Sequence, residues 1–162
     1  VHVAASTALL SNTDERTRVI ETASAHPRAA RAIVLDLPPD DAGRPGRHAE
    51  AIDALESAGL AIGIDLGASE DRTGDDWPRV GVRSARIPTA TLLGWSRRRG
   101  DDGGAFVSTC RRADIAMIAD DADSEETLVA IAEMGINLVT GDRFGAPRPM
   151  RATSSAEPAP YG

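Results

Sequence analysis

The sequence predicts a parallel α/β fold, and three observations carry the prediction. Short apolar runs alternate along the chain with longer amphipathic segments, the pattern of strands alternating with helices. The runs are apolar throughout rather than every second residue, as in strands buried on both faces. Four of the strands deliver an acidic residue at their C-terminal end or just past it. A (β/α) barrel and an open doubly wound sheet both build their sites at that end, so the pattern alone leaves the two architectures open.

Each element has its own local signal. Val1 to Ala5 reads as a strand. Asn12 or Thr13 caps a helix running to about Ala25, with Asp14 and Glu15 in the first turn, where the helix dipole favours acids, and Pro27 just beyond its end. Ala32 to Leu37 is an apolar run with Asp36 near its end, stopped by Pro38 and Pro39. A polar Gly/Pro-rich loop from Asp40 to Gly46 leads to an amphipathic helix over Arg47–Ala58, with Ala51, Ile52 and Leu55 on one face and Gly59 as its stop. Leu60 to Leu66 is a buried strand carrying Asp65. After a loop with Glu70, Asp71, Gly74, Asp75 and Asp76, a strand lies within Arg79–Ile87 and a helix around Thr89–Arg98. Gly100–Gly104 reads as a break, Phe106–Ala113 as a helix, and Ile115–Ala119 as a strand ending in Asp120 and Asp121. Ser124 caps a helix over Glu125–Met134, Gly135 ends it, and Ile136–Thr140 is the last strand. The chain thus divides into an α/β domain over 1–151 and an Ala/Pro/Ser-rich tail over 152–162, which lacks periodicity and reads as disordered.

Composition excludes several chemistries. The chain has 162 residues, 41% of them hydrophobic but only 3% aromatic, so its core must be aliphatic. All 18 basic residues are arginine, and there is no lysine or glutamine, which removes the phosphate-loop lysine and every Schiff-base mechanism. A net charge of −7 opposes non-specific DNA or anionic-membrane binding. Arg97, Arg98 and Arg99 form the dense basic cluster, and Asp101 and Asp102 follow at once, so it reads as a solvated helix end. No apolar run approaches the ~20 residues that span a bilayer, there is no signal-peptide pattern, and the lone Cys110 precludes an internal disulfide, so a cytoplasmic location is expected.

Three collinear stretches resemble the EAL-domain family of cyclic di-GMP phosphodiesterases. IADDADSEETLVAIAEMGINLVTGDRFGAPRP (Ile118 to Pro149) is similar to the family's ending with its AEGVET and QGY motifs. ALESAGLAIGIDLGAS (Ala54 to Ser69) resembles the helix, glycine and DDFG strand, and AIVLDLPP (Ala32 to Pro39) stands where the family has its EiTE strand. Val3 to Ser6 falls at the vNlS strand. The resemblance implies an incomplete (β/α) TIM-like barrel of EAL type, lacking the first strand, the one that bears the Glu-Ala-Leu signature. Asp53-Ala54-Leu55 is a decoy inside a helix.

In that family, acids from several strand ends bind two Mg²⁺ or Mn²⁺ ions, which activate a water. The carry-over to this chain is poor. The metal-binding Asn corresponds to Ala4, the Glu of EiTE to Asp36 and its second Glu to Pro39. The first DDFG acid is Ile64 and the second Asp65. The family's lysine falls at Arg86 or Ser84, the AEGVE acids at Asp120 and Asp123 with Asp121 where glycine is expected, and the QGY glutamine at Thr140. Shortening Glu to Asp withdraws a carboxylate by about a C–C bond, where metal–ligand distances tolerate only ~0.2 Å. A guanidinium is no substitute for an ammonium point charge.

The expectation is therefore a catalytically inactive EAL-like regulatory or protein-interaction domain of bacterial cyclic di-GMP signalling, without catalytic residues or cofactor. Its residual site candidates are Asp36, Asp65, Asp120 and Asp123, and Arg86, Thr140 and Arg143 are ligand-binding candidates. One version is a weak cyclic di-GMP receptor. Another is a scaffold whose exposed strand edges are covered by self-association or by a protein partner. The alternative is a phosphodiesterase with an all-aspartate site, in which Asp36, Asp65 and Asp120 hold Mg²⁺ or Mn²⁺. An open flavodoxin-like domain is a third possibility.

Each candidate also has a plainer role. Strand-end acids cap helices or meet solvent, which is the better account of Asp120 to Ser124, just before a helix. Arg143, Arg148 and Arg151 are expected surface arginines, and His2, His26 and His48 have no ligand spacing. Trp77 and Trp95 are expected in the core, and Cys110 as a small buried hydrophobe.

Overall fold

Among the described residues six strands lie side by side in the order in which they occur, all parallel. The structure, a computed structural model, describes residues 1–38, 45–67, 77–97 and 102–144. Its elements are β1 (His2–Ala4), α1 (Thr7–Ser11), α2 (Thr13–Ala25), α3 (Pro27–Ala30), β2 (Val34–Leu37), α4 (Ala49–Ser57), β3 (Ala61–Asp65), β4 (Val82–Pro88), α5 (Thr89–Ser96), α6 (Asp102–Arg112), β5 (Ala116–Asp120), α7 (Glu125–Glu133) and β6 (Leu138–Val139).

The strand order decides between the two architectures. A doubly wound sheet reverses its order at a switch point, which puts helices on both faces. This order never reverses, so right-handed crossovers place the connecting helices on one side and the sheet curves around the other. The fold is a half-barrel of the TIM-like class, and the flavodoxin-like possibility is set aside.

Strand alternation then sorts the side chains. Leu35, Leu37, Ile62, Ile64, Ala85, Ile87 and Ala119 point outward and join Ile52, Leu55, Leu92 and Ile131 of the helices in one apolar cluster. Trp77 and Trp95, each 1% exposed, meet Phe106 edge-on at ring-centroid distances of 5.7 and 5.4 Å, so the scarce rings are core residues. The residues between, including Asp36, Gly63, Ser84, Arg86 and Asp120, line the concave face.

Most predicted elements form as expected. Asn12 caps α2 by accepting from the Asp14 amide at 2.9 Å, and the Ser124 hydroxyl caps α7 by accepting from the Thr127 amide at 3.1 Å. Three expectations are corrected. Pro27 does not merely end α2 but opens α3, since a proline is at home in a first helical turn, and α1 is a further short helix. The expected break through Gly104 gives way to α6, which begins at Asp102. Gly103 is buried there, and a β-carbon on it would lie 2.2 Å from Ser96 Oγ, so this glycine lets α5 and α6 approach. The last strand is only Leu138–Val139, because the Ile136 amide bonds back to the Ile131 carbonyl at 3.2 Å and completes the end of α7. The strand expected within Arg79–Ile87 does form, as β4, and it starts at Val82 behind a 3₁₀ turn over Trp77–Val80. Pro39, the loop acids from Glu70 to Asp76, Arg98, Arg99, Arg148, Arg151 and the tail lie outside the described residues.

Candidate functional site

The parallel register brings the acids to one end of the sheet. Ala4 pairs with Asp36, Asp36 with Gly63, Asp65 with Arg86, and Pro88 with Asp120, so the C-terminal ends of five neighbouring strands form one rim. Arg86 stands in its middle. Its Nε and Nη2 donate to Asp120 Oδ2 at 3.0 Å and Oδ1 at 2.9 Å, a bidentate pair, and its Nη1 lies 3.5 Å from Asp36 Oδ2. His2 Nδ1 lies 2.9 and 3.1 Å from the two oxygens of Asp36, a contact that requires a proton on Nδ1. At the other end the Thr140 hydroxyl donates to Asp120 Oδ1 at 2.6 Å.

A continuous polar chain therefore crosses the concave face from His2 through Asp36, Arg86 and Asp120 to Thr140. Asp36 is 4% exposed, and Asp120 and Arg86 are 16% and 28% exposed, so the network is part-buried and its charges attract at reduced dielectric. Donation to the Asp120 carboxylate holds the Arg86 guanidinium above the ordinary arginine range against the opposing effect of burial, and the charges of Asp120, Asp36 and Asp65 add to it.

The other candidates are directed elsewhere. Asp65 Oδ1 accepts from the Gly67 amide at 2.9 Å and turns the chain after β3. Asp123 Oδ1 accepts from the Asp142 amide at 2.9 Å, tying the loop after β6 to the loop after β5. Asp121 adopts φ of 60°, the left-handed backbone that favours the glycine expected there and that aspartate tolerates. Arg143 stays at the surface, 3.7 Å from Glu125, an exposed pair of little energetic weight. Of the two positions open to the family's lysine, Arg86 faces the acids, while Ser84 lies one layer below with its hydroxyl buried.

Both oxygens of Asp36 and both of Asp120 already face protein donors. Mg²⁺ and Mn²⁺ need free carboxylate oxygens, so this donor set does not fit the ion pair that the resemblance implies. Among the described residues no group of three or more His, Cys, Asp or Glu side chains is arranged to hold a metal ion.

Sequence reasoning missed His2, which it took as incidental. Strand alternation was the available signal, since it puts His2 and Ala4 on one face of β1. Cys110 is buried at 2% exposure and burial pushes its thiol up to about 12, so the neighbouring arginines do not activate it.

No family model and no curated protein matches the sequence. Solved structures do. An EAL-domain protein from Listeria monocytogenes matches with a TM-score of 0.72 at 10% identity, over 90% of this chain and 59% of that one. The Vibrio cholerae LapD S-helix–GGDEF–EAL structure bound to c-di-GMP matches with 0.74 at 16% identity, over 86% and 35%. The Bacillus subtilis YkuI protein, with an EAL domain and in complex with substrate c-di-GMP and calcium, matches with 0.70 at 13% identity, over 93% and 38%. The chain spans between about a third and three fifths of the length of these three structures. Similarity at this identity is one of architecture, and the architecture of this chain is that of an EAL-like domain, a partial barrel with its acids at the strand ends.

Proposed function

We propose that the chain is a catalytically inactive, cytoplasmic EAL-like domain that works in bacterial cyclic di-GMP signalling through a protein contact rather than by hydrolysis. One observation carries this reading: the guanidinium of Arg86 is paired with both Asp36 and Asp120, the acids that a metal-dependent phosphodiesterase would need free. A carboxylate held by a guanidinium is already committed to a fixed charged donor, which a metal ion would have to displace in order to bind. The fold supports the setting, since solved neighbours include complexes with c-di-GMP.

The edges support a partner. β1 and β6 each have one neighbour among the described residues, and Val3 and Leu138 are 42% and 51% exposed on them. Such edges invite a further strand or a covering surface. On this reading cyclic di-GMP binds weakly or not at all, and divalent ions do not strengthen it.

The test is calorimetric titration of cyclic di-GMP with and without Mg²⁺, together with chromatography for linear product after incubation in Mg²⁺ or Mn²⁺. No product in either metal is expected. Product that disappears in Asp36→Ala overturns the reading in favour of the all-aspartate enzyme. Metal-independent binding marks a receptor, and silence marks a scaffold.

A further inference from the structure

We propose that the two edges of the sheet fit one another and that the partner is a second copy of this chain: the β6 end of one molecule docks on the β1 edge of the next, head to tail. The inference rests on the reading of a domain that works through a protein contact, and deepens it by naming the partner and both surfaces.

Exposed apolar surface is concentrated at these two ends. Among the described residues the exposed large hydrophobic side chains are Val1 and Val3 at the β1 edge, and Val129, Leu138 and Phe144 on α7, on β6 and in the turn after it. Neither edge strand contains an arginine, an acid or a proline, the kinds of residue that block edge pairing. Behind Val3 a groove of about 400 Å³ opens between β1 and the helices α2 and α3, walled by Val19, Ile33 and Leu60 and by the exposed Arg18 and His26. Strand alternation suits the joint. Val3 pairs with Leu35 and Val139 with Ala119, both of the outward layer, so β6 laid parallel against β1 sets Val139 beside Val3 with the helices of both copies on one side.

Charge selects head-to-tail docking over the pairing of like ends. Residues 1–33 carry three acids and four arginines, whereas residues 121–144 carry six acids and one arginine. The β1 end is thus weakly cationic and the β6 end strongly anionic. Two β6 ends brought together repel, while a β6 end and a β1 end attract. The uniform strand order favours the same choice, because β6 and β1 are opposite edges of one parallel sheet and joining them continues it. The two surfaces differ, so the contact is heterologous, and an open assembly keeps one free edge of each kind for further copies.

The experiment is analytical ultracentrifugation of the whole chain from about 10 µM to about 1 mM in low salt, a range suited to edges of three and two residues. Wild type is expected to gain mass with concentration. Val3→Lys and Leu138→Lys, each checked for folding by circular dichroism, are expected to stay monomeric, their association weakened at least about tenfold. Their equimolar mixture is expected to form a one-to-one dimer that grows no further, because each variant keeps the edge that the other has lost. Where a variant does not fold, wild type alone still decides. Raising NaCl from about 50 mM to about 500 mM screens an attraction between opposite charges, so the association should weaken about threefold or more. Wild type still monomeric at the highest concentration overturns the proposal, as does a variant that dimerises on its own, a mixture that stays monomeric, or association that strengthens with salt. The two readings fail separately: linear product from wild type overturns the proposed inactivity, whereas a chain monomeric throughout overturns only this inference.

Discussion

Gly63→Ala tests whether the polar chain is as tightly held as its distances imply. A β-carbon at residue 63 would lie 2.2 Å from Asp36 Oδ1, 2.7 Å from Ser84 Oγ and 3.1 Å from Val34 Cγ1. The serine hydroxyl can rotate away, being unpartnered. Asp36 cannot move freely, because at 4% exposure it is held by His2 on one side and Arg86 on the other. Overpacking of this kind costs about 1–3 kcal/mol. Pushing the carboxylate out of reach of Arg86 forfeits a charged contact worth about 1.5–3 kcal/mol. Replacing glycine within a strand returns at most about 1 kcal/mol. The expected net loss is about 2–4 kcal/mol, which for a urea slope of about 2 kcal/mol/M lowers the midpoint by roughly 1–2 M. The decisive assay repeats the substitution in an Asp36→Ala background, where the new methyl group has room and its cost should fall by more than about 1 kcal/mol. Equal costs in the two backgrounds, within the ~0.5 kcal/mol of ordinary additivity, would refute the reasoning.

Two further outcomes concern groups away from the strand ends. Burial, aided by Asp53 and opposed by Arg83, raises the pKa of Glu56, so the folded state binds its proton more tightly than the unfolded chain does. Its contribution is fully present below the ordinary carboxylate pKa and is lost as pH rises through the folded value. Glu56→Gln should therefore be more stable than wild type at pH 7, with an advantage that shrinks towards about pH 4; melting curves showing the opposite trend would contradict this. Cys110, buried and pushed up to about 12, should resist a disulfide thiol reagent at pH 8 in native buffer and react fully in urea. Reaction within minutes under native conditions would show that the helix opens or that the thiol is not enclosed.

The legible parts of the fold were those set by local chemistry. Asn12 and Ser124 announce their helices because a side-chain oxygen before an apolar stripe has one common use, and the structure has both capping bonds. Asp36 and Asp65 could be placed at strand ends because each closes an apolar run. What could not be read depends on neighbours distant in sequence. Gly103 reads as a breaker until Ser96 is seen packed against it. Ile136 reads as strand until its amide is found closing the previous helix. The site was legible as a set of acids but not as a network: alternation puts His2 on the face of Ala4, but nothing local names Asp36, 34 residues away, as its partner, or tells Arg86 from Ser84 as the residue that meets the acids.

That last ambiguity bears on function, because the chemistry of the central residue decides what the acids can do. An ammonium group is a compact, strongly hydrated charge whose rotatable donors impose no plane. The guanidinium of Arg86 is a rigid fork, with Nε and Nη2 on Asp120 and Nη1 turned towards Asp36. One β4 residue thereby joins the end of β2 to the end of β5, across β3 on one side and directly on the other. The same bonds that hold the rim of a half-barrel together also occupy the oxygens that a metal would use. The bonds that stabilise the rim are therefore the same bonds on which the proposed loss of hydrolysis rests. A sequence whose only basic side chain besides histidine is arginine has no ammonium side chain to offer here, and what it does offer at residue 86 ties strand-end acids of two strands into one clasp.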